Sequence, residues 1–509
     1  MTLFEVLYAG AALFLAVYGL QAIVLTILYL RHRREKPALP ALSHWPRVTI
    51  QLPLFNEMYV AERLLEAVTN IQYPRERLQI QVLDDSTDET ARIVKREVNR
   101  YQAAGAPIEL IPRRDRAGYK AGALAAGLKR ASGELIAIFD ADFVPRPDFL
   151  LRTVPYFSGD QRLGMLQTRW GHTNAGDSSL TRAQAIALDG HFTVEQAGRQ
   201  RSGLFMSFNG TAGIWRRECI ESSGGWSADT LCEDLDLSYR AQLAGWRCLF
   251  LPEVESPAEI PPQMAAFKRQ QSRWAQGSIQ CLLKLWRSVL RSDRPLWVRL
   301  MGLVHMGAYA AHPMTLLLLL TLLPLLLQDG GIQLPLLAYL SVAGLGPPLM
   351  YVVGQRTLHR DWPRRLLWFP VLMLIGTGLA WKNTGAVIRG LSRRPAEFRR
   401  TPKFQLGQSL MNLRESRYAL GLEWSNAGEL LMAGYSAAAI GAAIVQRNYH
   451  VIPFLGLYLL GFGYVALYDV WQRLRERRRR PARLPAPADH PARTGMRSTP
   501  RPGSLGGLH

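Results

Sequence analysis

Cysteine is scarce. The 509 residues hold four, Cys219, Cys232, Cys248 and Cys281, and no two are spaced as a zinc pair. That excludes a disulfide-stapled scaffold and leaves reduced thiols in a cytosolic domain as the expectation. Acidic residues are also under-represented, 40 against 61 Lys+Arg, for a formal net charge of +21. A basic excess of that size can serve nucleic acid, but here it is unevenly placed. Ten Arg against Glu476 and Asp489 follow Trp471, directly after an apolar segment. Positive-inside topology and anionic lipid account for that pattern, so no nucleic-acid partner is expected. Internal repeats are absent as well. With 48% hydrophobic and 20% charged residues, wholesale disorder is excluded. Long apolar runs exclude a purely soluble protein.

Those runs organise the chain. Residues 3–30 are apolar apart from Glu5 and Gln21, long enough to cross a bilayer as a helix, and end at Arg31-His32-Arg33-Arg34. A secretory signal has the reverse order, so a retained anchor with its C-terminal end in the cytoplasm is expected. Residues 46–262 have soluble-domain character. The run Val48-Thr49-Ile50-Gln51-Leu52 predicts a buried strand ending at Pro53, followed by a helix with Val60, Leu64, Leu65 and Val68 on one face. Further strands are expected over 80–83, 108–111 and 135–139, with a helix over 121–128. This alternation predicts a parallel, doubly wound α/β sheet, in which ligands bind beyond the carboxyl ends of the strands.

Residues 263–295 read as an amphipathic interfacial helix, with Phe267, Trp274, Leu282, Trp286 and Leu290 among Lys268, Arg269, Arg273, Lys284 and Arg287. Two spanning helices are expected within 303–353, over 303–327 and 332–353. In 366–410, the stretch 366–387 is interrupted by Pro370, Gly376, Gly378, Lys382 and Asn383, which suits an interfacial or re-entrant segment. Two last spans fall within 430–467, over 430–445 and 451–467, and residues 471–509 read as a basic disordered tail. The basic flanks then place the catalytic domain and the tail in the cytoplasm, with five spans in all.

Asp140-Ala141-Asp142 directly follows the apolar strand over 135–139. Two carboxylates at i and i+2 on a strand end can meet Mg²⁺ or Mn²⁺ and the diphosphate it bridges; they can equally be a solvated turn. Asp84-Asp85 ends another strand of the same sheet, and two acidic clusters on one sheet edge are costly without a compensating ligand. Glu233-Asp234 opens a helix, either as acidic residues favoured by the macrodipole or as the seat of a general base. Gln270-x-x-Arg273-Trp274 offers a guanidinium fork for diphosphate and a flat face for a sugar, or else a snorkelling Arg and an interfacial Trp. Lys120 in Gly118-Tyr119-Lys120-Ala121-Gly122 sits at a helix start suited to phosphate. His172, His191, His305 and His312 show no ligand spacing and read as core or interface histidines.

Taken in order, Gln51-Leu52-Pro53-Leu54-Phe55-Asn56-Glu57, Leu83-Asp84-Asp85-Ser86-Thr87-Asp88, Asp140-Ala141-Asp142, Glu233-Asp234 and the Gln270–Trp274 element resemble the membrane-embedded family 2 glycosyltransferases of the cellulose-synthase superfamily. Gly118 to Leu124, His191 to Gln196 and Phe208 to Gly213 bring the likeness nearest to cellulose-synthase-like glucomannan 4-β-mannosyltransferases and their glucan synthase cousins. The resemblance implies a GT-A (Rossmann-like) α/β catalytic domain with an α-helical transmembrane region. It implies an inverting, metal-dependent transfer of a hexose from GDP-mannose or UDP-glucose to a β-linked polysaccharide at the inner face of the cell membrane. By that likeness Asn56, Glu57, Asp84, Asp85 and Lys120 hold the nucleotide-sugar donor, and Asp140 and Asp142 bind Mg²⁺ or Mn²⁺ and diphosphate. Asp234 is the base, while Glu233, Gln270, Arg273 and Trp274 line the acceptor and diphosphate. Cys232 replaces the usual Thr before Glu233-Asp234. Phe398-Arg399-Arg400-Thr401-Pro402-Lys403 approximates the superfamily's gating loop, with Thr401 and Lys403 reaching the donor. Two rivals remain: single-sugar transfer to a lipid acceptor, as in ceramide glucosyltransferase, and a non-catalytic membrane transporter or adaptor.

Overall fold

The computed structural model describes residues 2–35, 37–41, 44–328, 340–392 and 425–478. Its centre is a seven-stranded sheet, β1 (Val48–Leu54), β2 (Leu78–Asp84), β3 (Ile108–Pro112), β4 (Leu135–Ile138), β5 (Leu163–His172), β6 (Gly213–Arg216) and β7 (Arg247–Ala258), in the order β3-β2-β1-β4-β6-β5-β7. The half β3-β2-β1-β4 is parallel and doubly wound, as the strand–helix alternation predicts. The other half is not. β6 runs antiparallel to both β4 and β5, so the sheet is mixed. Its four residues follow a long helical excursion, Ser179 to Arg201, and a loop rather than a single crossover helix, which frees the strand from the parallel rule.

β1 also outruns the expected stop at Pro53, continuing to Leu54. Gln51 accepts from Phe139 on the β4 side, and Pro53, two residues on, faces the same side. Since β4 stops pairing at Gln51, the missing N–H of Pro53 costs no ladder bond. Alternation then sorts the core. Ile50 and Leu52 pack with Leu64, Leu65 and Val68 on one face, while Ile136, Ile138, Leu124, Phe208 and Trp215 fill the other.

Four described helices are long and apolar enough to cross a membrane: Leu3–His32, Ala308–Leu327, Ser425–Val445 and Tyr449–Arg475. The pair Trp362–Gly378 and Ala380–Leu391, bent by 44°, has the composition of a broken span or a re-entrant loop. The expected span over 332–353 is described only from residue 340. That part is a short turn, Ser341–Leu345, and the helix Gly346–Leu358, whose Tyr351 packs on Gly190 of the helix Ser179–Gly190. Gly19 and Gly346 let it cross the first helix closely: a Cβ on Gly19 would stand 2.1 Å from the Ala343 carbonyl oxygen. The basic amphipathic stretch is one helix, Met264–Arg291, packed on both Glu233–Leu243 and Ala380–Leu391. Most of the tail over 471–509 and all of 393–424 lie outside the described residues.

Candidate active site

The carboxyl ends of β1, β2 and β4 open on one cleft, closed opposite by the loop before β6 and by the helices Glu233–Leu243 and Met264–Arg291. Glu57, Asp85, Asp140 and Asp142 line it from beyond the strand ends; Lys120, Glu233, Asp234, Gln270, Arg273 and Trp274 line it from helices. Residues far apart in sequence therefore share one chamber.

Two predicted donor residues do not line that chamber. Asn56, in the left-handed region at φ 54°, uses its backbone N–H on Ser86 Oγ (2.9 Å) and its Oδ1 on the Thr87 N–H (2.9 Å). Asn tolerates that conformation because its short side chain bonds locally. Asp84 is buried and accepts the Ser86 N–H at 3.0 Å. Burial pushes its carboxyl up, against the Ser86 bonds that pull it down. Asn56 stitches the β1 and β2 loops together, and Asp84 braces the β2 loop from within. Asp85 reaches the cleft, gripped by Arg113 through two bonds of 2.7 and 2.5 Å. Beside it Arg116 lies 3.3 Å over the Phe55 ring.

Lys120 begins the helix Tyr119–Arg130 after Gly118 at φ 70°. Its Nζ stands 2.6 Å from Asp140 Oδ1 and 4.0 Å from Glu233, and donates to the Gly210 carbonyl at 2.8 Å. Burial alone would lower its pKa, but Asp140, Glu233 and Asp234 outweigh burial and hold it above the ordinary value. The Asp140 N–H donates to Thr211 Oγ1 at 2.8 Å, fixing the strand end against the same loop. Among the described residues no group of three His, Cys, Asp or Glu forms a metal cage. The donor set that does exist, two carboxylates at a cleft mouth beside a lysine, fits a hard cation whose remaining ligands are phosphate oxygens and water.

Asp234 lies in the first turn of Glu233–Leu243, its Oδ1 accepting the Leu235 N–H at 2.8 Å. A Cβ on Gly210, at φ +81°, would come 3.0 Å from Asp234 Oδ2 and 3.4 Å from Lys120 Nζ, so only glycine leaves that contact open. Burial first, and then the Glu233 charge, raises the Asp234 carboxyl to about 7, with Lys120 opposing. A carboxylate poised there can accept a proton near neutral pH. Trp274 lines this cleft rather than only a membrane interface. Cys232, where the resembled family has Thr, packs on Gly277, where a Cβ would meet its Sγ at 2.4 Å. Thr401, Lys403 and the rest of the expected loop lie outside the described residues.

Several participants were not legible as site residues. Arg113 and Arg116 carry no pattern of their own, and Gly210 entered only as part of the Phe208 to Gly213 likeness, with no role. Asn209, on the cleft wall, bonds His191 Nε2 at 3.1 Å; His191 Nδ1 bonds Glu195 at 2.9 Å, and Arg199 holds Glu195 from beyond at 3.0 Å. The signals available were the His191 to Gln196 and Phe208 to Gly213 likenesses, which assigned no role, and the i, i+4 spacing of His191, Glu195 and Arg199. His172, expected in the core or at an interface, lines the cleft and shares Asp189 with His359, at 3.3 and 2.9 Å.

Comparison with known proteins identifies the family. The profile described as Glycosyltransferase like family 2 matches residues 46–277. The chain belongs to the family 2 glycosyltransferases. Within that family its relatives include glucomannan 4-beta-mannosyltransferase 7 of Arabidopsis thaliana, 34% identical over 444 residues, covering 84% of this chain and 78% of that protein. Glucomannan 4-beta-mannosyltransferase 2 of the same plant is 35% identical, covering 72% of this chain and 69% of its own length. Among solved structures, a mannosyltransferase from Pyrobaculum calidifontis, in complex with GDP-Man and Mn²⁺, matches with a TM-score of 0.50 at 22% identity. It covers 76% of this chain and 99% of its own, a likeness of fold. The chain is thus a cellulose-synthase-like glycosyltransferase with a GT-A-type mixed sheet.

Proposed function

We propose that this enzyme transfers mannose from GDP-mannose to the end of a β-linked polysaccharide, with inversion, at the cytoplasmic face of a membrane. The observation that carries the reading is the single cleft in which Asp234 stands among Lys120, Asp140, Asp142 and Trp274. The relatives named as mannosyltransferases, and the GDP-Man of the matched structure, favour this donor over UDP-glucose. Asp85 and the Phe55–Arg116 pair face the nucleoside, and Trp274 offers its face to the acceptor sugar. Asp234 takes the proton of the acceptor hydroxyl as that oxygen bonds the anomeric carbon and the bond to the diphosphate breaks. Lys120 and Arg273 hold the departing diphosphate. Asp140 and Asp142 would hold Mg²⁺ or Mn²⁺, which supplies Lewis-acid stabilisation of the leaving diphosphate.

Incubating membranes with labelled GDP-mannose and UDP-glucose in parallel tests the donor; label entering polymer from UDP-glucose alone would overturn it. Product length at limiting donor separates polymer extension from single transfer to a lipid. The topology is tested at Ser392, where a cysteine should react with a membrane-impermeant thiol reagent only from the cytoplasmic side. Labelling from outside intact cells would sink the cytoplasmic placement.

A further inference from the structure

A second pocket lies where the catalytic domain meets the bent helix pair, and it shares no lining residue with the catalytic cleft. The geometry points to a site here for the phosphate of an anionic phospholipid headgroup. Arg182 enters from the helix Ser179–Gly190, and Arg364, Arg365 and Trp368 enter from the start of the bent pair. Asp361 is the one acid lining it, and it is engaged by Arg365 at 3.1 Å. Arg182 is held in place by the Gly176 carbonyl at 2.9 Å and by the Trp368 ring, 4.7 Å from its guanidinium carbon. Asp177 is not among the lining residues but acts electrostatically on Arg182 from outside, which leaves Arg364 as the lining cation with no acid engaged among the described residues. Arg364 is exposed and makes no side-chain ion pair among the described residues. The floor is apolar and small, Ala185 and Ile186, which suits the glycerol end of a lipid more than water-solvated charge.

Two observations set the depth. The segment runs Trp362-Pro363-Arg364-Arg365 straight into the apolar Leu366 to Leu374, the ordering of a cytoplasmic membrane boundary. At the opposite end of the pocket's catalytic wall, Ser179 Oγ meets Tyr464 OH at 2.9 Å, and Tyr464 begins an aromatic ladder through Tyr468 to Trp471 on the last helix. Aromatic belts of that kind sit at headgroup level. Two guanidinium forks and a third, ring-braced one at that level match a phosphodiester better than a carboxylate or a neutral headgroup.

This site rests on the reading that the helix pair lies in a bilayer, so alkaline carbonate extraction of the full-length protein comes first; release into the supernatant would defeat that reading itself. Purified full-length protein in detergent is then exposed to phosphatidylglycerol or phosphatidylcholine, and retained lipid is read by native mass spectrometry. Wild type should retain phosphatidylglycerol over phosphatidylcholine by about tenfold or more, and the double variant Arg364→Gln/Arg365→Gln should lose that preference. Glycerol phosphate at millimolar concentration should leave the lipid in place. Equal retention of both lipids, or an unaltered preference in the folded double variant, overturns the site; displacement by glycerol phosphate overturns the lipid as its source.

Discussion

Two clusters of enclosed charge in this protein differ in one respect, their balance. In the catalytic cleft Lys120 stands among Asp140, Glu233 and Asp234, one cation beside three carboxylates, with Asp142 on the same wall. At the junction of three helices, Lys268 and Glu429 meet at 2.6 Å with both side chains 0% exposed. Asn426 accepts from Lys268 at 2.9 Å and donates to Asp469 at 2.8 Å, and Asp469 is answered by Arg473 at 3.1 Å. Lys382 also acts on Glu429, so both carboxylates there are answered by cations of the protein itself. Unequal charge is tolerable in the cleft because a ligand can complete it. Carboxylates already answered by cations between helices serve packing and register instead. Charge imbalance, more than charge itself, marks the place where chemistry occurs.

The comparison breaks most visibly if the cleft needs no added cation. Excess chelator should abolish sugar transfer, and Mg²⁺ or Mn²⁺ should restore it; full activity in chelator would mean that Lys120 and Arg273 neutralise the diphosphate alone. Next in size is Asp234→Asn, expected to lower kcat by about a hundred- to ten-thousand-fold while donor binding persists in a filter assay. Near-normal turnover would remove Asp234 from the role.

The balanced cluster answers differently. Lys268→Met leaves Glu429 buried without its cation and should cost about 3–5 kcal/mol of stability, read as a lowered melting temperature in detergent. Lys268→Met/Glu429→Met should recover most of that loss; equal damage in single and double variants would refute the balance argument. The smallest effect concerns pH. In the proposed role Asp234 acts only as a carboxylate, and burial with the Glu233 charge raises its pKa to about 7. Hence kcat/KM should rise with pH up to about 7, level off above it, and fall about tenfold per unit below. Glu233→Gln removes a charge that raises this value, so the acid limb should move to lower pH. A limb fixed near the ordinary carboxylate range in both proteins would contradict the assignment.

What could be read from the residues follows the range of the interactions. Asp140 and Asp142 were legible because an apolar strand delivers them, and strand ends of an α/β sheet face one crevice. Asp84 looked equivalent, yet its register turns the carboxylate inward onto Ser86 while Asp85 takes the cleft; one residue of alternation separates a structural from a lining role. The reversal at β6 could not be seen, since four residues after a loop carry no direction in their pattern. Nor could the Lys268 cluster: its partner lies 161 positions away, and a lysine on an amphipathic helix reads as solvated until the other helices are in place.

The helix Met264–Arg291 presents Gln270, Arg273 and Trp274 to the cleft and, two residues earlier, Lys268 to the helical bundle. The wall proposed for the acceptor is therefore part of the bundle, whereas Asp85, Lys120, Asp140 and Asp142 belong to the α/β domain. Harsh solubilisation should separate these walls before it damages the sheet. Such a preparation would still cleave its donor, but water would take the sugar. The ratio of donor hydrolysis to polymer formed then becomes a gauge of whether a purified sample has kept its working shape.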